Sequence, residues 1–324
     1  MLTRREFLYG SAAAIGAYQL GFGPALGQAL DQVQIMVPAA PGGGWDQTGR
    51  AMDQVLRAEK LAGSVQITNV AGAGGTVGLP QFVNAWKNRP NAIMVGGLVM
   101  VGAIIANKSP VKLTQTTPIA RLTGEYMVVV VPANSPIKAM KDLAEALKAD
   151  PKKVSVAGGS AGGSDHILFG MIGKTLGVAP QQLNYVAYSG GGQAQAALLG
   201  GHVTAGISGY GEFAEQIKAG KLRAVGISSP KREAGIDVAT LKEQGVDIEF
   251  ANWRGVFAPP GIAADRKQAL VTTIEKMANS AAWQDECKKR DWAPILLTGD
   301  AFAKFLEEDT ARTEAVLKDL GLAS

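Results

Sequence analysis

Short apolar runs alternate along this chain with amphipathic stretches, and glycine-rich turns separate one from the next. The runs at 33–37, 65–70, 93–97, 119–122 and 126–131 have the length of buried strands. The last carries no charged residue and suits a strand covered on both faces. Between them, 47–59 places Ala51, Met52, Val55 and Leu56 on one helical face, and 80–86 reads as a more apolar helix. The run at 93–97 reads as a short strand with a small-residue turn. Pro132-Ala133-Asn134-Ser135-Pro136 punctuates the chain before an amphipathic helix at 138–149. The alternation then restarts, with strands at 154–157, 185–187, 203–207 and 222–228 and helices from 166, 193 and 212. The chain crosses back at 256–261, and the remainder reads as helical. Thr298 or Asp300 is placed to cap the last helix, with Phe302, Phe305, Leu306 and Leu317 for its buried face.

Strands alternating with helices predict an α/β fold of mainly parallel sheets flanked by helices. Ligands of such sheets bind at the carboxyl ends of the strands. Here those ends carry the glycine-rich loops, in both halves of the chain, which predicts a cleft between two lobes. Residues 30–131 plus 253–324 are expected to form lobe 1, and 132–252 lobe 2. A chain of 324 residues is long enough for both.

Residues 1–29 stand apart. Thr3-Arg4-Arg5-Glu6-Phe7-Leu8 resembles the twin-arginine export motif, an uncharged run rich in Ala and Gly follows, and Gly27 and Ala29 suit cleavage. The mature protein is therefore expected in the periplasm. Loss of Arg4, Arg5 and Glu6 takes the net charge from +4 to +3, too weak and dispersed for a nucleic-acid partner. One cysteine, Cys287, excludes an internal disulfide, and it reads as a structural thiol on a helix. With only His166 and His202 beside it, no metal site is expected.

Pro38-Ala39-Ala40-Pro41-Gly42-Gly43-Gly44-Trp45-Asp46 joins the first strand to the first helix. Three consecutive glycines tolerate φ > 0 and can turn successive N–H groups toward one point. The helix start adds its own N–H groups and the positive end of its dipole, so the loop attracts an anion. Asp46 reads as an acceptor that pins the loop. Trp45 is open to two roles, covering a core or touching a ligand, and Tyr210 and Arg254 are equally open to packing. Gly72-Ala73-Gly74-Gly75-Thr76 has G-x-G spacing, but no Asp or Glu lies between Glu59 and Glu125, which argues against a dinucleotide. Gly158-Gly159-Ser160-Ala161-Gly162 matches G-x-S-x-G, so a secreted serine hydrolase using Ser160 is the alternative. A triad in that setting needs a late histidine, and none follows His202. An anion nest with Ser160 and Ser164 as hydroxyl donors is the stronger reading.

Taken together these loops resemble those of the periplasmic solute-binding proteins of tripartite tricarboxylate transporters. The first loop has that family's Pro-x-x-Pro-Gly-Gly-x-x-Asp form in Pro38, Pro41, Gly42, Gly43 and Asp46. The second and third are similar at 71–75 and 159–164, and so are Tyr188-Ser189-Gly190-Gly191-Gly192, the segment 197–203 and Trp253-Arg254-Gly255-Val256-Phe257-Ala258-Pro259. The resemblance implies a two-lobed binding-protein fold of the type II kind, without catalysis or cofactor, closing as a monomer on a small di- or tricarboxylate such as citrate. It implies delivery to one large and one small membrane permease subunit. It also implies ligand contacts from Pro41, Gly43, Gly44, Trp45 and Asp46 in the first loop and from Gly74 and Gly75 in the second. Lobe 2 would add Ser160, Gly162, Gly163 and Ser164, then Ser189, Gly191 and Gly192, then Ser208 and Tyr210. The Gly-Gly-Gly-aromatic-Asp version of the first loop is most similar to the tricarboxylate-binding branch.

Overall fold

A computed structural model describes residues 30–159, 161–188 and 191–323, so residues 1–29, the expected leader, and Ser160, Ser189, Gly190 and Ser324 lie outside the described residues. Strand β1 (Leu30–Val37) leads through the first glycine loop to α1 (Gly44–Ala58), and Ala51, Met52, Val55 and Leu56 are all buried as their spacing predicts. Then come β2 (Ala62–Asn69), α2 (Gly78–Ala85) and β3 (Ala92–Gly97). β1 lies between β2 and β3 and is parallel to both.

β3 runs directly into α3 (Leu98–Ala106), a helix where the sequence suggests only a turn. No residue of α3 is exposed. A helix without a polar face lacks the 3.6-residue signature by which amphipathic helices are read.

Strand β4 (Thr117–Pro132) is one strand of 16 residues where the sequence suggests two. The chain continues through α4 (Met140–Ala149), β5 (Ser155–Gly158), α5 (Ser164–Thr175), β6 (Asn184–Ala187), α6 (Gly191–Leu199), β7 (Ala205–Gly209), α7 (Tyr210–Lys218) and β8 (Leu222–Ile227). It returns through β9 (Ala251–Ala258), α8 (Ala264–Asn279), α9 (Ala281–Lys289), β10 (Ala293–Thr298) and α10 (Gly299–Asp319). β10 replaces the helix expected there. A short apolar run does not by itself distinguish strand from helix, and the free edge of β4 decides by pairing with it.

The strand order is β2-β1-β3-β9-β4-β7-β5-β6, with β8 and β10 also paired to β4. β4 changes partners along its length. From Thr117 to Tyr126 it pairs with β9, and from Met127 onward with β7 and β8. The polar residues at 123–125 mark this passage between the two halves of the sheet. Pairing is parallel within each wing, as β5 with β6 and β7 illustrate, and antiparallel wherever β4 or β9 takes part. The architecture is thus the expected two-lobed α/β fold, but its sheet is mixed, because the crossing strands enter against the direction of their neighbours.

The last helix closes the core. Trp253 on β9 is buried, donates from Nε1 to Asp309 Oδ2 at 2.7 Å and meets the rings of Phe302 and Phe305 edge-on. Thr298 does occupy the N-cap of α10, but its side chain makes no capping bond. At the end of α10 Asp319 pairs with Lys174 of α5 at 2.5 Å, and just beyond it Leu320 lies against Gly170. No helix of the described residues is long and apolar enough to cross a membrane.

Candidate ligand-binding site

The first loop uses some of its own donors. Gly42, at φ +85, takes the left-handed turn that glycine permits, and its N–H donates to Asp46 Oδ2 at 2.8 Å. The N–H of Gly43 donates to the Ala40 carbonyl at 3.3 Å. What remains is the first turn of α1, Gly44, Trp45 and Asp46, behind an N-cap glycine with no side-chain cap. The donors left over therefore begin at the last of the three glycines and run into the helix. Pro41 is exposed at the tip of the loop.

Asp46 is the pin that its position predicts. It is 1% exposed and accepts from Gly42, from Arg50 Nε at 2.7 Å and from Asn69 Nδ2 at 2.9 Å. Burial works to raise its pKa, but the bonds from Arg50, Gly42 and Asn69 outweigh it and hold the carboxyl below the usual aspartate value.

The second loop packs closely against α1 and α3. Gly74 and Gly75 both have positive φ, and a Cβ on Gly75 would stand 2.5 Å from Met100 Cε and 3.0 Å from Trp45 Cζ3. One on Gly74 would stand 2.5 Å from Ala103 Cβ. Trp45, 8% exposed, is a wedge in the core that seats this loop against α3.

Lobe 2 repeats the device of lobe 1. α5 begins behind Gly163, again without a side-chain cap, and Asp165 in its first turn reaches back to the Gly159 N–H at 2.6 Å. Ser164 is buried and donates to Asp165 Oδ1 at 3.0 Å. The Gly162 N–H donates to His166 Nδ1 at 3.2 Å, and the imidazole stacks on Tyr185 with centroids 4.1 Å apart. Burial pushes His166 down to about 4, so it serves the loop as a neutral acceptor. Gly191 and Gly192 open α6, and nothing lies within 4 Å of a Cβ on Gly192. Ser208 and Tyr210 both have partners within lobe 2. The Ser208 hydroxyl donates to Glu212 Oε2 at 2.8 Å. Tyr210 packs in the lobe 2 core and lines a cavity of about 380 Å³ with Tyr126 and Trp292.

Asp46 and Asp165 do the same work with opposite electrostatics. Burial pushes Asp165 up to about 6, only partly offset by Gly159 and Ser164, and Glu212 and Glu125 add repulsion. A carboxyl raised in this way weakens the fold once ionised. The penalty is absent below about pH 4 and grows to about 3 kcal/mol by pH 7. Asp165→Asn keeps an acceptor for Gly159 and gives Ser164 a donor. Urea titrations are expected to find it level with wild type near pH 4 and about 2–3 kcal/mol more stable at pH 7.5. Equal stability at both pH values would count against this charge assignment.

Two residues outside the predicted set stand at the same corner as α1. Arg254 on β9 is 6% exposed, and its guanidinium lies on Gly44, where a Cβ would meet Nη2 at 2.6 Å and Cζ at 3.0 Å. Nη2 pairs with Glu125 Oε2 at 2.6 Å, and Trp292 donates to Glu125 Oε1 at 3.2 Å. Glu125 also lies 3.4 Å from a Cβ placed on Gly209, the N-cap of α7. The signal was there in sequence: one arginine inside Trp253–Ala258, otherwise an apolar strand segment. A charge in such a run is rarely without a partner, but the partner is not local.

Cys287 is buried and its thiol is pushed up to about 11, chiefly by burial, as befits a structural residue. Among the described residues no group of His, Cys, Asp and Glu could hold a metal ion.

Residues 50–322 match the family described as tripartite tricarboxylate transporter family receptor. Protein BugT of Bordetella pertussis (strain Tohama I) is 27% identical over 294 residues, 89% of each chain. MatC from Rhodopseudomonas palustris, solved with bound malate, has a TM-score of 0.71 at 23% identity over 88% of this chain and 98% of its own. A second R. palustris protein, solved with adipate, has a TM-score of 0.75 at 21% identity over 90% and 98%. The matched family spans most of the described residues, from the second turn of α1 to beyond α10 and including the start of α5, so the chain belongs to the receptors of tripartite tricarboxylate transporters, periplasmic solute-binding proteins and not enzymes.

Proposed function

We propose that this receptor captures a small di- or tricarboxylate, citrate-like in size, between its lobes and passes it to one large and one small permease subunit. The observation that carries the reading is the pair of uncapped helix starts, α1 in lobe 1 and α5 in lobe 2. In each, an aspartate folds back to order the loop, while first-turn N–H groups stay available for an anion. Malate and adipate in the two R. palustris structures support an acid with more than one carboxylate. Gly163, Gly191 and Gly192 stand at the helix starts of lobe 2 and belong to this reading, as do Ser160 and Ser189, which precede α5 and α6 in sequence. The lobes move about β4 near Tyr126 and Met127, where its partners change, and about the start of β9. The receptor works as a monomer, exported by the twin-arginine route with its leader removed near residues 27–29.

Thermal shift with malate, adipate, citrate and an aromatic carboxylate tests this. A ligand at a hundred times its Kd stabilises the folded state by ~2.7 kcal/mol, so one or more of these acids is expected to raise the Tm by several degrees. No shift with any of them would remove the reading.

A further inference from the structure

Arg254 is buried, yet one of its terminal nitrogens is idle. Nη2 is held by Glu125, and Trp292 lies with its ring 5.1 Å from Cζ. Nη1 is enclosed and has no hydrogen-bond partner. Native proteins rarely leave a buried donor in this state, and each case calls for a reason. A guanidinium is more demanding still, because it cannot shed its charge to escape the penalty.

The reason lies beside it. The guanidinium rests on Gly44, the first residue of α1, and the first turn of that helix has no side-chain cap. Orphan backbone donors, the positive end of a helix dipole and a buried guanidinium with one unpartnered nitrogen therefore share one corner. A carboxylate drawn to that corner would meet the helix start and the charge of the guanidinium together. Glu125 leaves that option open, since both of its oxygens are already used, by Arg254 and by Trp292. Its role is to hold the arm in place.

We propose that Arg254 is the charged arm of the ligand site, giving one carboxylate of the bound acid a fixed cationic partner beside the first turn of α1. Backbone N–H groups alone would accept any small anion. A charge-assisted bond is shorter and roughly twice as strong as a neutral one, so the arm favours ligands that bring a full negative charge to this corner. The inference rests on the carboxylate reading above and adds a side chain to it.

Calorimetric titration of Arg254→Gln and Arg254→Lys with malate, adipate and citrate tests the arm. It is paired with NMR of the wild-type arginine side-chain N–H signals, the Arg254 signal being assigned by its loss in Arg254→Lys. The Gln variant is expected to lose tenfold or more in affinity for the acid that wild type binds best, with Arg254→Lys in between. The Arg254 signal is expected to shift when wild type is saturated with that acid. A Gln variant within threefold of wild type, or a signal that saturation does not move, would overturn the arm and leave the carboxylate reading standing. Should Arg254→Gln fail to fold, the wild-type signal and the Lys variant decide. If wild type binds none of the acids, the carboxylate reading falls and the arm falls with it.

Discussion

Valine at Gly44 is expected to abolish carboxylate binding in a protein that still folds. A Cβ at this position would stand 2.6 Å from Arg254 Nη2 and 3.0 Å from Cζ, closer than real contacts allow. The guanidinium must move, and moving it breaks the 2.6 Å pair with Glu125. The added branches also crowd the first N–H groups of α1. Overpacking of this kind costs about 1–3 kcal/mol, a loss that a domain of ordinary stability survives. Affinity for whichever acid binds best should fall by about a hundredfold or more, as two helix-start donors at ~1.4 kcal/mol per tenfold would do. Gly43→Ala is the control. Gly43 has φ −70, and its Cβ would meet only the Ala40 carbonyl, at 3.4 Å. Calorimetry should find this variant within about threefold of wild type, and a Gly44→Val protein that binds normally would refute the placement of the site.

Asp46→Ala is expected to destabilise the fold by about 2–4 kcal/mol at pH 7. The carboxylate serves Gly42, Arg50 and Asn69 together, and alanine takes the acceptor from the Gly42 N–H and from one hydrogen of Asn69 Nδ2, whose other bond, to the Ala39 carbonyl, remains. Arg50 is half exposed and simply returns to water. The sign with pH is set by the lowered pKa of Asp46. Its contribution is complete above the ordinary aspartate value near 4 and is lost as pH falls through the lower folded-state value. Urea midpoints of wild type and variant should therefore be well separated at pH 7 and converge on acidification below pH 4. A gap that persists at low pH would mean that packing, and not the ionised carboxylate, holds the loop.

Asp46 and Asp165 show why two like motifs need not behave alike. Each aspartate reaches back from a first helical turn to a glycine N–H. Asp46 has a cation one turn on, and Asp165 has none and faces Glu212 and Glu125 instead. Substitution at the first is expected to cost stability at neutral pH, and at the second to add it.

Much of the architecture was legible because it is local. Alternating runs, glycine turns and a first-turn aspartate are decided within a few residues, so β1, α1, α5 and their loops stand where the pattern puts them. The elements that were not legible are those without a local signature. α3 has no polar face, β10 is an apolar run that an edge of β4 recruits, and β4 crosses between lobes through polar residues that resemble a break.

The site divides the same way. Sequence alone determined that glycine-rich turns precede helices in both halves of the chain, and that an anion is the ligand such turns suit. Only the tertiary structure decided which N–H groups the loops consume and which they leave, since that depends on where Asp46, Ala40, Asp165 and His166 come to rest. It also decided that Trp45 is a wedge under the second loop and that Arg254 lies on Gly44. Glu125 and Arg254 are 129 positions apart and meet because β4 and β9 pair. No local pattern encodes such a contact, because its energy exists only once the two strands are side by side.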